Sequence, residues 1–177
     1  MSVPLPSRRR HPVLRFLLTH PTWRRAHRSP ATRAWLDHHH YITPHFSWAS
    51  YACIDGTPVP HHLRGNAIRL HWKLEWMRKL LGGQPMRVDG PYRTVAHNRE
   101  VGGASDSRHV HADAADFFVE QVDYWVLKSK RLRHRNDVLD IADKVFRDGG
   151  LGNETSGTLH VDARGYRARF VTWTPTR

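Results

Sequence analysis

Residues 107–116 read SRHVHADAAD, which places His109 seven positions before Asp116. Two other short segments have matching chemistry: residues 92–94 (YRT) lie upstream, and residues 160–162 (HVD) lie downstream. Two imidazoles and a carboxylate are the donor set of an open zinc site, in which three protein ligands leave a fourth position for water. The upstream arginine offers a guanidinium to an anionic group of a substrate. These segments predict a catalytic rather than a structural metal site.

The spacing of these residues predicts how the backbone must run. Side chains alternate along a strand, so residues seven apart would face opposite sides, and we expect a bend between His109 and Asp116. His111 would share the side of His109 in an extended segment, which makes it an alternative ligand. His160 and Asp162 are two apart in a predicted strand and point the same way. A hairpin could bring that face against His109 and Asp116.

The composition of the 177-residue chain narrows the kind of metal site. Structural zinc sites in small domains are built mostly from several cysteines, and this chain has only Cys53. One cysteine also excludes an intramolecular disulfide. Histidine, aspartate or glutamate must therefore supply most ligands of any metal. The chain contains 15 histidines, so their spacing is more informative than their number.

Basic residues are concentrated at the start of the chain. Lysine and arginine number 28 against 16 acidic residues, a net charge of +12. Residues 1–45 hold eight arginines and one acidic residue, so this Pro- and Arg-rich segment has a net charge of +7. Such a segment favours an anionic partner, such as an anionic wall polymer or a membrane surface. The alternative is that it is only a solvated tail. Nucleic acid is disfavoured, because the basic residues lack interleaved aromatic stacking motifs.

The chain length favours a single domain with an extension. Residues 1–45 are predicted to form the basic extension, and residues 46–177 the folded domain. No apolar run approaches the roughly 20 residues that a helix needs to span a bilayer. Residues 13–18 (VLRFLL) resemble part of a signal peptide, but Arg15 interrupts the apolar run and no small-residue cleavage site follows. We therefore expect synthesis in the cytoplasm without a signal peptide.

Residues 62–81 give the clearest helix prediction. Apolar side chains recur there at spacings of three and four, which puts them on one helix face; they are Leu63, Ala67, Leu70, Leu74, Met77 and Leu81. Gly82 and Gly83 are expected to end this helix. A second helix is predicted from residue 136 or 137 to Phe146. Shorter helices are predicted over residues 13–18 and 31–37.

Four segments have strand character: residues 86–89, 110–119, 158–162 and 167–173. The last two are predicted to pair as a hairpin around Arg164 and Gly165. Residues 46–60 are predicted to form a loop with a turn at Asp55 and Gly56. Helices lying against a small, mostly antiparallel sheet make the predicted fold class α+β.

The chain from Phe46 to about Trp173 resembles the zinc D-alanyl-D-alanine carboxypeptidase family. It is most similar to the branch whose last zinc histidine sits in a His-Val-Asp triplet. The matching segments span about three quarters of the chain: residues 46–47, 52–60, 90–94, 97–98, 101–103, 107–116, 150–152 and 160–165. The resemblance implies a small antiparallel sheet flanked by helices, the hedgehog/D,D-peptidase fold that hedgehog signalling domains and some phage lysins share.

The resemblance also implies roles for particular residues. The metal ligands of the family correspond to His109, Asp116 and His160, with Zn²⁺ as the cofactor. Its substrate-binding arginine corresponds to Arg93, and its motif serine to Ser107. A planar guanidinium can hold a carboxylate with two hydrogen bonds, or stabilise the oxyanion of a tetrahedral intermediate.

Two positions depart from the family pattern. The glycine that usually follows the first zinc histidine by three positions is Ala112 here. A related branch has an acidic general base three residues before its last zinc histidine, and that position is Gly157. The candidates for the base are Asp162, which shares a strand face with His160, and Glu154 in the preceding loop. Asp162 is the first choice, although it could instead be a fourth ligand or a carboxylate that orients His160.

The resemblance and the residues together predict a zinc-dependent peptidase that hydrolyses peptidoglycan stem peptides. Zinc lowers the pKa of its bound water toward about 7, a carboxylate passes on the proton, and zinc and Arg93 stabilise the oxyanion. The expected activity is that of a D,D-carboxypeptidase or endopeptidase, with an L-Ala–D-Glu bond as an alternative target. We expect a monomer that acts at the cell wall.

Two other classes of protein stay open. The fold can keep its zinc without a catalytic base, so the main alternative is a non-catalytic zinc-containing module that binds the cell wall. A nucleic-acid-binding protein has only the charge in its favour. The sequence fits a host wall-remodelling enzyme, a phage lysin (an endolysin) or a virion component. The lack of a recognisable signal peptide favours the phage setting.

Overall fold

The computed structural model describes residues 29–83, 86–118, 135–153 and 158–170. The helix predicted over residues 13–18 and the candidate base Glu154 lie outside these ranges. The chain divides into two compact units, residues 1–47 and residues 48–177. Within the described ranges, no helix has both the length and the apolar character needed to cross a membrane.

The described part of the first unit is a helix followed by a two-stranded hairpin. Helix α1 spans Pro30–His38, strand β1 spans Tyr41–Thr43, and strand β2 spans Phe46–Ser47 and pairs antiparallel with β1. Proline suits the first helical position, because its missing N–H would have no partner there. Helix α1 contacts β1. The short helix predicted over residues 31–37 is confirmed.

Four helices and two 3-10 turns lie in the described part of the second unit. The helices are α2 (Trp48–Tyr51), α3 (Arg64–Leu80), α4 (Val95–Glu100) and α5 (Arg135–Val145). The 3-10 turns span His61–Leu63 and Arg108–His111. The two long helices predicted from apolar spacing are therefore confirmed as α3 and α5.

Helix α3 contacts both α5 and the central sheet. Its predicted apolar stripe is buried from Ala67 onward. At its end, Gly82 N–H donates to Lys79 O (3.2 Å) and Gly83 N–H donates to Arg78 O (2.9 Å). Both glycines have positive φ, 83° and 79°, which residues with a Cβ rarely adopt. This Schellman arrangement is the physical reason why the glycine pair ends the helix, as predicted.

The second unit contains a five-stranded sheet. Its strands are β3 (Val88–Gly90), β4 (Ala114–Phe118), β5 (Gly150–Asn153), β6 (Thr158–Asp162) and β7 (Ala168–Phe170). The strand order is β3-β4-β6-β5-β7, and every pairing is antiparallel except that of β5 with β7. Helices beside a small, mostly antiparallel sheet confirm the predicted α+β class.

The predicted hairpin between residues 158–162 and 167–173 is wrong. Strand β6 pairs with β4 and β5, and β7 pairs in parallel with β5. The prediction failed because β5 is rich in glycine, which has low strand propensity. From the sequence, Gly149 and Gly150 indicate only the end of a helix. A Cβ on either glycine would overlap Asp162. Glycine is what allows β5 to lie beside β6.

The strand predicted over residues 110–119 begins later, at Ala114. A 3-10 turn occupies the residues before it, and Ala112 adopts a left-handed conformation with a φ of 55°. The bend that the spacing of the predicted ligands requires is therefore present. Ala112 stands where the family pattern has glycine, the residue that adopts this conformation most readily.

The loop predicted over residues 46–60 contains β2 and α2, and its predicted turn is confirmed. Thr57 N–H donates to Asp55 Oδ1 (2.8 Å) at this turn. The Tyr51 hydroxyl of α2 is buried and donates to Ala114 O (2.7 Å). This hydrogen bond ties α2 to the first residue of β4.

The packing of α3 predicts different costs for the same substitution at two positions. Leu74 is fully buried, whereas Leu80 is 44% exposed. Leu74→Ala should lower the free energy of unfolding by about 2–5 kcal/mol, because it leaves a cavity in the core. Leu80→Ala should cost less than about 1 kcal/mol, because surface changes are mild. Urea denaturation measures both values, and equal losses would contradict the assignment of the buried face.

Candidate functional site

Three side chains converge on one point in the second unit. His109, Asp116 and His160 each offer a ligand atom, and these atoms all lie within 4.8 Å of one another. His160 Nδ1 lies 2.8 Å from Asp116 Oδ1, and His109 Nε2 lies 3.4 Å from Asp116 Oδ2. The two ring nitrogens are 3.3 Å apart. The structure thus brings together the three residues predicted as metal ligands.

Strand pairing accounts for two of these positions. Asp116 on β4 is the direct cross-strand partner of His160 on β6, so both side chains project from the same face of the sheet. His109 comes from the 3-10 turn before β4, and the left-handed residue Ala112 turns the chain between them. His111, the alternative ligand, is exposed and is not part of the cluster.

Hydrogen bonds fix which nitrogen of each imidazole faces the cluster. His109 Nδ1–H donates to Pro91 O (2.9 Å), which leaves Nε2 to point at Asp116. His160 Nε2–H donates to Asp162 Oδ2 (3.3 Å), which leaves Nδ1 beside Asp116. Histidines that ligate metals almost always donate their other N–H to a carboxylate or a backbone carbonyl. Both imidazoles therefore have the arrangement expected of ligands.

Asp116 and His160 each favour the charged form of the other. Burial alone would raise the pKa of Asp116, but hydrogen bonds with His109 and His160 hold it well below its usual range. Burial alone would lower the pKa of His160, but hydrogen bonds with Asp116 and Asp162 raise it to about 9. A metal cation would take the place of the proton on Nδ1, so its binding would release a proton.

The donor set fits zinc. Zn²⁺ takes imidazole nitrogen and carboxylate oxygen as ligands, and a catalytic site has three protein ligands and one open position. Among the described residues, the cluster consists of two histidines and one aspartate. One side of it opens to a cleft, which leaves room for water or substrate.

Asp162 lies behind His160 rather than among the ligand atoms. It is fully buried, and its oxygens accept hydrogen bonds from Gly150 N–H (2.9 Å) and from Arg164 Nε (2.8 and 3.0 Å) and Nη2 (2.6 Å). Burial alone would raise the pKa of Asp162, but hydrogen bonds from His160, Arg164 and the backbone hold it well below its usual range. Its contact with Nε2 orients the imidazole of His160.

The two predicted substrate contacts lie in the same cleft as the histidines. This cleft has a volume of about 390 Å³. It is lined by Arg93, Gly103, Ala104, Ser107, Arg108, His109, Gly152, His160 and Phe170. Arg93 Nη2 lies 3.7 Å from Asp116 Oδ2, so its guanidinium sits beside the ligand cluster. Ser107 directly precedes the 3-10 turn that supplies His109.

Sequence reasoning did not assign a role to several residues of the site. Gly90 on β3 leaves room for the Asp116 carboxylate, which a Cβ would overlap. Arg164 donates hydrogen bonds to Asp162. It lies two residues after Asp162 in an extended segment, so the sequence spacing could have indicated that the two side chains share a side. Phe170, 56% exposed, reaches the cleft only through the parallel pairing of β7. No pattern in the sequence indicates that pairing.

The family model of Peptidase M15 matches residues 46–161, which is more than half of the chain. The chain belongs to the peptidase M15 family. It is also 49% identical, over 53 residues, to the zinc D-Ala-D-Ala carboxypeptidase of Streptomyces albus G. That match covers 30% of this chain and 21% of the relative. The chain thus aligns with about a fifth of the length of this curated relative.

These findings confirm the predicted family and fold. They agree with the predicted class of zinc metallopeptidase and with Zn²⁺ as the cofactor, since the relative is a zinc enzyme and the three convergent side chains suit that ion.

The packing of Gly90 predicts that a single methyl group would disrupt the metal site. Gly90→Ala should displace the Asp116 carboxylate and lower the zinc content of the purified protein below one per chain. Gly65→Ala in α3 is the matched control, because a Cβ there has open space around it, and it should keep full zinc. Elemental analysis after gel filtration measures both. Full zinc occupancy in Gly90→Ala would contradict the role of Asp116 as a ligand.

Proposed function

We propose that the protein is a zinc-dependent peptidase that hydrolyses peptidoglycan stem peptides. The observation that supports this most is the convergence of three ligand atoms, within 4.8 Å of one another, at the wall of a cleft that also contains Arg93. Membership of the peptidase M15 family and the similarity to a D-Ala-D-Ala carboxypeptidase support the substrate class. The scissile bond we favour is a D,D-peptide bond, at a stem terminus or at a cross-link.

Different residues of the cleft would have different roles in the reaction. When bound, zinc supplies a Lewis acid that polarises a carbonyl and makes water more acidic. His109, Asp116 and His160 would hold it. Arg93 can bind an anionic group of the substrate, or the oxyanion that develops during hydrolysis, because its guanidinium lies beside the ligand cluster. Ser107, which directly precedes the 3-10 turn, can offer a hydroxyl to the substrate backbone.

Two carboxylates, those of Asp162 and Glu154, are candidates for the general base that takes a proton from water. Asp162 is the first choice from the sequence, but both of its oxygens accept hydrogen bonds from Arg164, and it faces the Nε2 side of His160. A general base needs a free oxygen within hydrogen-bond reach of the water. These contacts support a positioning role for Asp162. Glu154, which follows β5 in sequence, is then our candidate for the base.

The basic extension, residues 1–45, fits a targeting role in the same function. Its net charge of +7 would attract an anionic wall polymer or a membrane surface. We place the action of the protein at the cell wall, and the phage lysin setting remains our preferred origin. The attraction should weaken as salt rises, because mobile ions screen exposed charges.

Hydrolysis of a defined peptide tests the proposed function. The purified protein should release D-alanine from an N-acylated peptide ending in D-Ala-D-Ala, or cleave a cross-linked dimer of such peptides, detected by mass spectrometry. A chelator should abolish the activity, and zinc should restore it. His109→Ala should be inactive because it removes a ligand, whereas His111→Ala, at an exposed position outside the cluster, should stay active. Zinc-dependent binding to wall fragments without cleavage would instead support a non-catalytic wall-binding module.

Paired amide substitutions distinguish the two carboxylates. Asp162→Asn should lower zinc affinity by about 10–100-fold, the range for partners that orient metal ligands, and should recover most activity at saturating zinc. Glu154→Gln should keep zinc but lower kcat by about 10²–10⁴, as expected for loss of a general base. Competition with a zinc-binding dye and steady-state kinetics give the two readouts. The reverse pattern would make Asp162 the base.

A further inference from the structure

Arg108 supplies a second guanidinium to the cleft, in addition to that of Arg93. Its side chain is 25% exposed, whereas the side chain of its partner Asp113 is fully buried. Arg108 Nε donates to Asp113 Oδ1 (3.0 Å), and Nη2 donates to Asp113 Oδ2. The exposed part of Arg108 lines the same cleft as Arg93 and the two histidines.

The ion pair with Asp113 leaves part of the guanidinium available. Arginine has five N–H donors, and Asp113 accepts from two of the nitrogens, Nε and Nη2. The Nη1 edge makes no hydrogen bond with any residue in the described ranges. Asp113 already fixes the plane of the guanidinium. Binding of an anion at this edge would therefore cost little further side-chain entropy.

We propose that Arg108 binds a second carboxylate of the substrate, while Arg93 serves the group next to the metal ligands. This inference rests on the proposed function. A stem peptide in which glutamate is linked through its γ-carboxyl keeps a free α-carboxylate, and that group is our candidate for the Arg108 ligand. A planar guanidinium recognises a carboxylate through two parallel hydrogen bonds. Arg108 would therefore select peptides with this carboxylate over peptides in which it is an amide.

A purely structural reading of Arg108 makes a different prediction. A buried carboxylate needs a partner, and Arg108 could serve Asp113 only for that reason. A substrate-binding role and a purely structural role predict opposite effects of Asp113→Asn on the binding of a substrate carboxylate. This change keeps the shape and one hydrogen-bond acceptor but removes the negative charge next to the guanidinium. Binding of a substrate carboxylate should be kept or improve if Arg108 contacts it, and should weaken if the pair only holds the turn in place.

Two peptides that differ only at the glutamate α-position, carboxylate or carboxamide, provide the test. For the wild-type protein with zinc, we expect kcat/KM to be about tenfold to hundredfold higher for the carboxylate peptide, the range of one charge-assisted hydrogen bond. Arg108→Gln combined with Asp113→Asn, which leaves no unpaired buried charge, should bring this ratio close to one. Asp113→Asn alone should keep or raise it. Arg99→Gln, an exposed arginine on α4 outside the cleft, should leave it unchanged.

The possible results separate this inference from the proposed function. A wild-type ratio near one, or a double variant that keeps the wild-type ratio, would overturn the role of Arg108. So would equal losses on both peptides in Asp113→Asn with zinc retained, since that is the structural outcome. If the wild type hydrolyses neither peptide, the proposed function fails. In that case, calorimetry of the two peptides with the zinc-loaded protein tests the role of Arg108 independently of catalysis. Equal affinities for the two peptides, or no binding of either, would contradict that role.

Discussion

The site depends on the register of β4 against β6. This register sets Asp116 opposite His160, so that a carboxylate and an imidazole face each other from neighbouring strands. A shift of one residue would turn the side chains of one strand to the other face of the sheet. The same register sets Ala114 opposite Asp162, and Tyr51 holds the carbonyl of Ala114. His109 then needs only the short turn before β4 to complete the cluster.

Buried charge is tolerated in this sheet because each charged group has a partner. The chain of contacts runs from Asp116 through His160 and Asp162 to Arg164. Removing one partner of a buried ion pair is costly, because the other charge is then left without solvent or counter-charge. Glycine at position 150 gives Asp162 its space and donates a backbone hydrogen bond to it. Two of the three predicted metal ligands, Asp116 and His160, thus belong to one continuous series of ion pairs.

The sequence predicts those features that have a local pattern. Apolar spacing is sufficient for α3 and α5, and the spacing between His109 and Asp116 is sufficient to require a bend. The pairing of β5 and β7 could not be predicted. The glycines of β5 allow its close contact with β6, but they give the sequence no strand pattern. The position of Phe170 in the cleft follows from that pairing and was missed with it. The role of Arg108 depends on a pair with Asp113 that only the turn between them creates.

We propose that His109 Nε2, one carboxylate oxygen of Asp116 and His160 Nδ1 bind one zinc ion. Anomalous diffraction at the zinc edge from crystals of the purified protein tests it most directly. We expect one strong peak, about 2.0–2.2 Å from these three atoms, with Asp162 remaining hydrogen-bonded to His160 Nε2–H. A peak bound to His160 Nε2 and Asp162, or one centred on His111, would contradict it.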